Sequence, residues 1–176
     1  MKKEKEVLTV KNIHFNIGDR VVYPAHGIGE IISEESQTIG GTDIAVYVIS
    51  FTKDKMTLRI PVNRAAATGL RQLSSNADVE KVLSILQGRP KTSRGMWSRR
   101  AQEYELKINS GDIISIAEVV RDLHKNVDDP DRSYSERLIY ESALNRLVGE
   151  YAAIVSLDLK EASERLISIL REKEAA

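Results

Sequence analysis

The lone tryptophan of this 176-residue chain stands in Gly95-Met96-Trp97-Ser98-Arg99-Arg100, at the expected start of a helix and beside two arginines. A large flat ring can cover or enter a base step that is unstacking, while guanidinium groups take phosphate oxygens on either side of it. The same six residues also suit a structural role, a Trp packed between helices and an Arg-Arg pair on a solvated face. Local charge allows the first reading. The whole chain is formally neutral, with 26 basic and 26 acidic side chains, so affinity for nucleic acid would have to come from a patch. From Gln87 to Lys107, Arg89, Lys91, Arg94, Arg99, Arg100 and Lys107 face only Glu103 and Glu105. From Glu150 to Ala176 the acids prevail. Trp97, Arg99 and Arg100, with Arg94 and Lys91 from the preceding loop, are therefore the candidate DNA-binding residues.

Other chemistry finds little to stand on. There is no GxxxxGK[ST] phosphate loop, no GxGxxG after a strand, no HExxH and no EF-hand loop, and cysteine is absent, which removes disulfides, thiolate metal sites and thiol nucleophiles. His14, His26 and His124 are isolated from one another. Asp128, Asp129 and Asp131 could suggest a cation site, but with Pro130 they read more simply as a helix stop. The expectation is a protein that is not an enzyme, with no cofactor and no metal. No apolar run approaches the ~20 residues needed to span a bilayer, and the charged start Met1-Lys2-Lys3-Glu4-Lys5-Glu6 leads into no signal-like segment, so a cytoplasmic, membrane-independent protein is expected.

The elements that would carry these residues fall into two groups. From Phe15 to about Arg71, short strands alternate with turn residues: Arg20 to Tyr23 stopped by Pro24, Ile28 to Ile32, Ile44 to Ile49 after Ile39-Gly40-Gly41, and Met56 to Ile60 closed by Pro61. So many short antiparallel strands should roll into a small SH3- or Tudor-like barrel, since closure removes exposed edges. After Leu73 the period becomes helical. Ser74, Ser75 and Asn76 are N-cap candidates for a helix ending at Gly88. A second helix stripes Trp97, Ala101, Tyr104 and Ile108, and a third, capped by Asp112, turns Ile113, Ile116, Ala117, Val120, Leu123 and Val127 inward. A fourth carries Tyr140, Leu144, Leu147, Val148, Tyr151 and Ile154, and a fifth Leu159, Ala162, Leu166, Ile169 and Leu170. The fold class is α+β: a small antiparallel β-barrel, then an all-α bundle of about five helices. The expected division is a mobile tail over 1–14, a barrel domain over 15–72 and a helical domain over 75–173.

The string Ile17-Gly18-Asp19-Arg20-Val21-Val22-Tyr23-Pro24-Ala25-His26-Gly27-Ile28-Gly29 closely resembles the opening of the CarD/CdnL family of bacterial transcription factors. A second block resembles it too: Trp97-Ser98-Arg99-Arg100, then Ser110-Gly111-Asp112 and Ala117-Glu118-Val119-Val120-Arg121-Asp122-Leu123. Together they run in family order from about Phe15 to Leu170. A similar barrel occurs within the transcription-repair coupling factor, an ATP-driven translocase, but 176 residues without a phosphate loop are not expected to be one. The resemblance implies a Tudor-like domain that binds the β subunit of RNA polymerase, largely through an exposed strand. It also implies a helical domain lying on promoter DNA at the upstream edge of the transcription bubble, with the motif tryptophan in the distorted minor groove.

On that resemblance Trp97 matches the wedge, Arg99 and Arg100 the basic pair beside it, and Arg59 a residue used against polymerase. Gln37, Ile39 and Thr57 are the further positions expected at the RNA polymerase contact. Gln37 and Gln102 depart from the basic residues of some family members, and the charged tail is longer than usual. If Leu58 and Ile60 face the core, Arg59 faces out. The expected function is that of a monomeric transcription initiation regulator whose partners are RNA polymerase and promoter DNA, bound without sequence readout. The rival readings are an RNA- or ribosome-binding adaptor and a protein-only scaffold with Trp97 buried.

Overall fold

The computed structural model describes residues 14–91 and 94–174. The tail expected over 1–14 lies, except for His14, outside the described residues.

Five antiparallel strands come first: β1 (Arg20–Tyr23), β2 (Gly27–Ile39), β3 (Thr42–Phe51), β4 (Met56–Pro61) and β5 (Arg71–Gln72). They form one sheet in the order β4-β3-β2-β1-β5. β2 runs seven residues past the apolar stretch Ile28 to Ile32 that marks it in the sequence. The extension from Ser33 to Ile39 pairs regularly with β3, from Val48 to Thr42, after an irregularity between Ile31 and Ser33. It carries few buried residues because this end of the hairpin reaches beyond the core, so its polar composition hides a strand.

The barrel is not closed by a ladder: among the described residues β4 and β5 pair with one neighbour each. Two single-turn 3₁₀ segments (Val62–Arg64 and Ala66–Thr68) join them instead. Ala65 and Leu70 from this connection seal a core made by Phe15, Val21, Ile31, Tyr47, Ile49, Phe51 and Ile60. Side-chain burial thus does what strand pairing was expected to do, and β4 keeps an open edge. Gly29 makes the close approach that this curl requires, since a Cβ there would lie 2.6 Å from Ile49 Cγ2 and 2.9 Å from Phe51 Cε1.

Five helices follow: α1 (Asn76–Gln87), α2 (Trp97–Asn109), α3 (Ile113–His124), α4 (Tyr134–Val155) and α5 (Leu159–Glu174). Ser75 closes a capping box with Asp78, which satisfies two amides at the start of α1. Asp112 accepts from the amides of Ile114 and Ser115, and Gly111, at φ +70°, supplies the left-handed residue just past α2. α3 is the hub of a second core containing Val82, Leu86, Tyr104, Ile108, Leu147, Tyr151 and Leu166. It is buried far beyond its sequence stripe: Val119, Arg121, Asp122 and His124 are covered as well. Val127 lies past its end, because the chain leaves the helix at His124, before the Asp-Pro stop. In α5, Ala162, Leu166 and Leu170 are buried, but Leu159 is exposed, since the first turn projects beyond the bundle.

Gly29→Ala should cost about 1–3 kcal/mol through overpacking against Ile49 and Phe51, read as a lower urea midpoint with an unchanged slope.

Candidate functional site

Three places in the fold collect the candidate residues. The first is the outer face of the sheet. Arg59 sits directly opposite Val48, which pairs with Ser33, while Glu35 sits opposite Val46. Directly opposed residues share a face, so Thr57 and Arg59 of β4 project from the same side as Glu35, Gln37 and Ile39 of β2. Met56, Leu58 and Ile60 turn to the core. The alternation expected for β4 is what the structure shows. Arg59 Nε donates to Glu35 Oε2 at 3.3 Å across β3, and both side chains remain about half exposed. Ile39 is 56% exposed. The four positions expected to touch polymerase thus occupy one face, next to the unpaired edge of β4.

The second place is the start of α2. Trp97 is half-buried: its ring lies 6.2 Å from that of Tyr104, tilted at 44°, and packs on the helical core. The Arg100 guanidinium carbon stands 5.5 Å from the Trp97 centroid, so this arginine is engaged by the ring and its Nε is buried without a hydrogen-bond partner. Arg99 differs. Its side chain is 81% exposed, with a loose contact to Glu103 at 3.9 Å. Arg94 and Lys91 are exposed on the loop before α2. The structure therefore gathers these five residues at one end of the bundle, with Arg99, Arg94 and Lys91 available to an external anion and Arg100 acting chiefly as a brace for the indole. Gln102 is exposed on α2.

Sequence inspection missed what holds the basic loop. Asp122 Oδ1 accepts from the Lys91 amide at 2.8 Å and from Arg121 Nε at 2.8 Å, and both side chains of this α3 pair are buried. A hydrophilic Arg-Asp step inside an apolar helix was the available signal.

The third place joins the two cores, and it too was not foreseen. Arg71, in β5, makes a bidentate pair with Glu150 of α4, at 2.8 and 2.6 Å, and also donates to the Gly111 carbonyl at 3.1 and 2.6 Å. Glu150 Oε2 accepts the Ser74 amide as well, at 2.9 Å. Arg146, one turn earlier on α4, donates to the carbonyls of Pro24 and of Ala25, the latter at 2.8 Å. Burial lowers the Arg146 pKa from its ordinary value, opposed by the charge of Asp54. Pro24 fits between two glycines: a Cβ on Gly69 would lie 2.8 Å, and one on Gly111 3.0 Å, from Pro24 Cγ. Pro24 is thus more than a strand stop; it is a knob in a socket made by both modules.

Of the histidines, His124 is buried with Nδ1 2.7 Å from the Tyr140 hydroxyl, His14 Nδ1 lies 3.3 Å from the Tyr47 hydroxyl, and His26 stacks on Tyr23. Among the described residues no group of three or more His, Cys, Asp or Glu could hold a metal ion, and no helix is long and apolar enough to cross a membrane.

Comparison with known proteins now bears on this geometry. The model of the CarD-like/TRCF RID domain matches residues 15–74, and that of the CarD C-terminal domain matches 81–167. The chain belongs to the CarD family. That family is one of transcription factors, not of enzymes. A protein of Bacillus subtilis (strain 168) named "Putative transcription factor YdeB" is 29% identical over 147 residues, covering 84% of this chain and 96% of that protein. The solution structure of the 72-residue N-terminal domain of Myxococcus xanthus CarD is similar at 24% identity, covering 34% of this chain and 79% of that domain, with a TM-score of 0.30.

Glu150→Ala removes the carboxylate that Arg71 and the Ser74 amide share. Breaking a buried pair on one side costs about 3 kcal/mol or more, here nearer the lower figure because Arg71 retains some solvent. The expected result is a drop of that order in the free energy of unfolding by urea, with near-native helix content before the transition.

Proposed function

We propose that this CarD-family protein docks on the β subunit of RNA polymerase through the β4 edge and the face carrying Arg59, Thr57, Gln37 and Ile39. Its helical module then holds promoter DNA open with Trp97. In this reading residues 15–72 are the polymerase-interacting domain and 75–173 the DNA-binding domain. The observation that carries it is that the indole of Trp97 keeps part of its surface open at the basic end of the bundle instead of being sealed in the core.

The chemistry is that of binding, without a covalent step. A protein shifts the closed-to-open equilibrium only by the difference in its affinity for the two states. Base stacking on an aromatic ring is worth about 1–3 kcal/mol, and such a surface is created only where base steps unstack. The ring is braced by Tyr104 and Arg100, so little of its own freedom is lost on contact. Arg99, Arg94 and Lys91 would take phosphates and fix the position of the ring without reading sequence. Promoter choice would come from polymerase. The β4 edge offers unpaired main-chain groups to an added strand, and Arg59, paired with a half-exposed Glu35, can exchange that partner for an acidic group of the subunit. Docking by one module raises the effective concentration of the other at the bubble, which is how a chain of zero net charge would act on DNA.

Trp97→Ala should shorten the lifetime of polymerase–promoter open complexes by about five-fold to a hundred-fold, with co-purification on core polymerase retained. An unchanged lifetime in the folded variant removes the wedge. Arg59→Glu should do the reverse: recovery of the β subunit in a pull-down falls first. Its thermal stability should stay within the ~1 kcal/mol expected for losing an exposed ion pair. Full recovery of the β subunit would rule out the sheet-face contact.

A further inference from the structure

Among the exposed large hydrophobic side chains, Met96 is the most exposed at 78%. It adjoins Trp97 at the start of α2, just after Gly95, whose φ of +135° suits a residue without a side chain. It also occupies a position that ordinarily belongs to another residue type. The Met96 backbone, at φ −63° and ψ 142°, has the extended conformation of an N-cap, but no side-chain cap bond is made. At the other four helix starts, Ser75, Asp112, Ser133 and Asp158 each accept an amide hydrogen bond. α2 therefore carries a thioether where a hydroxyl, amide or carboxylate would stabilise it, and the thioether packs into neither core.

We propose that Met96 is a second apolar contact to opened DNA, set against the sugar or base face beside the one that Trp97 covers. This rests on the wedge reading above and deepens it. Three features support nucleic acid as the occupant. Trp97 has given part of its ring to Tyr104 and Arg100, while the adjacent Met96 side chain stays outside both cores and exposed. The exposed cations Arg94 and Arg99 flank it within three residues on either side. A thioether is flexible and polarisable, and methionine is among the side chains that wedge into base steps.

The proposal predicts opposite signs for two measurements on one variant. Met96→Asn restores a capping side chain, so the melting temperature of the free protein rises. The same change removes the contact, so the lifetime of polymerase–promoter open complexes falls about five-fold, the lower end of one stacking contact. Met96→Leu keeps an apolar side chain and should preserve the lifetime. Trp97→Ala is run alongside. A lifetime shortened by Trp97→Ala but untouched by Met96→Asn overturns the Met96 contact alone. If neither shortens it, the wedge reading itself has failed. A lower melting temperature for Met96→Asn would show that Met96 serves packing, and would also overturn the proposal. Equal loss of polymerase co-purification and of lifetime would assign Met96 to a protein partner and overturn it as a DNA contact.

Discussion

The relative placement of the two cores depends on one buried carboxylate. Glu150 accepts both nitrogens of Arg71 and the Ser74 amide, and Arg71 reaches on to the carbonyl that ends α2. One guanidinium therefore ties β5, the first residues before α1, the α2–α3 turn and α4 to a single point. A planar, always-charged group with several fixed donors is suited to this, where an ammonium could satisfy fewer partners in fixed directions. Arg146 and Pro24 repeat the connection from the other module, through backbone carbonyls and a socket between two glycines. The sheet face and the α2 end are consequently held in one geometry. A flexible linker would spread the same two surfaces over many orientations and dilute the advantage of joining them.

The strand that carries the clamp lies at one end of the open sheet: β5 is two residues long, pairs with β1 and holds the arginine that reaches α4. β4 stands at the other end of the strand order and keeps a free edge among the described residues. Such edges invite unwanted pairing unless guarded, and here the charged pair Arg59–Glu35 stands on the face beside it. Val46 and Val48 lie opposite Glu35 and Arg59 in register and are buried, although they belong to the face turned away from the core cluster.

At the other end of the molecule, stability and exposure are divided between adjacent residues. Tyr104 and Ile108 anchor α2 to the bundle, Trp97 is shared between bundle and solvent, and Met96 is left outside. The preceding loop gains its position from Asp122, which is buried in α3 and hydrogen-bonded to a backbone amide, so that position does not require the Lys91 side chain. Charge at the surface and geometry beneath it are carried by different residues. The ring and the cations can meet a ligand without giving up the contacts that place them.

Much of this was legible from local pattern. Period-two and helical stripes, Ser75 and Asp112 as caps, and Gly88 as a stop placed most elements, because these signals act over a few residues. The exposure of Arg59 followed from strand alternation, and the two motif blocks carried the resemblance to the CarD family. The polar half of β2, the open sheet, the all-round burial of α3 and the outward first turn of α5 were not legible, because they depend on which surfaces are covered from a distance. The same holds for the division of labour between Arg99 and Arg100, adjacent in sequence but unequal in exposure. The sequence by itself determined the order of elements, the candidate residues and their chemistry, since propensity, capping and charge are local properties. Only the tertiary structure decided that Arg71, Glu150, Gly111 and Pro24 meet, and so how the two surfaces are aimed. Partners up to 122 residues apart are selected by packing, and no local rule encodes them.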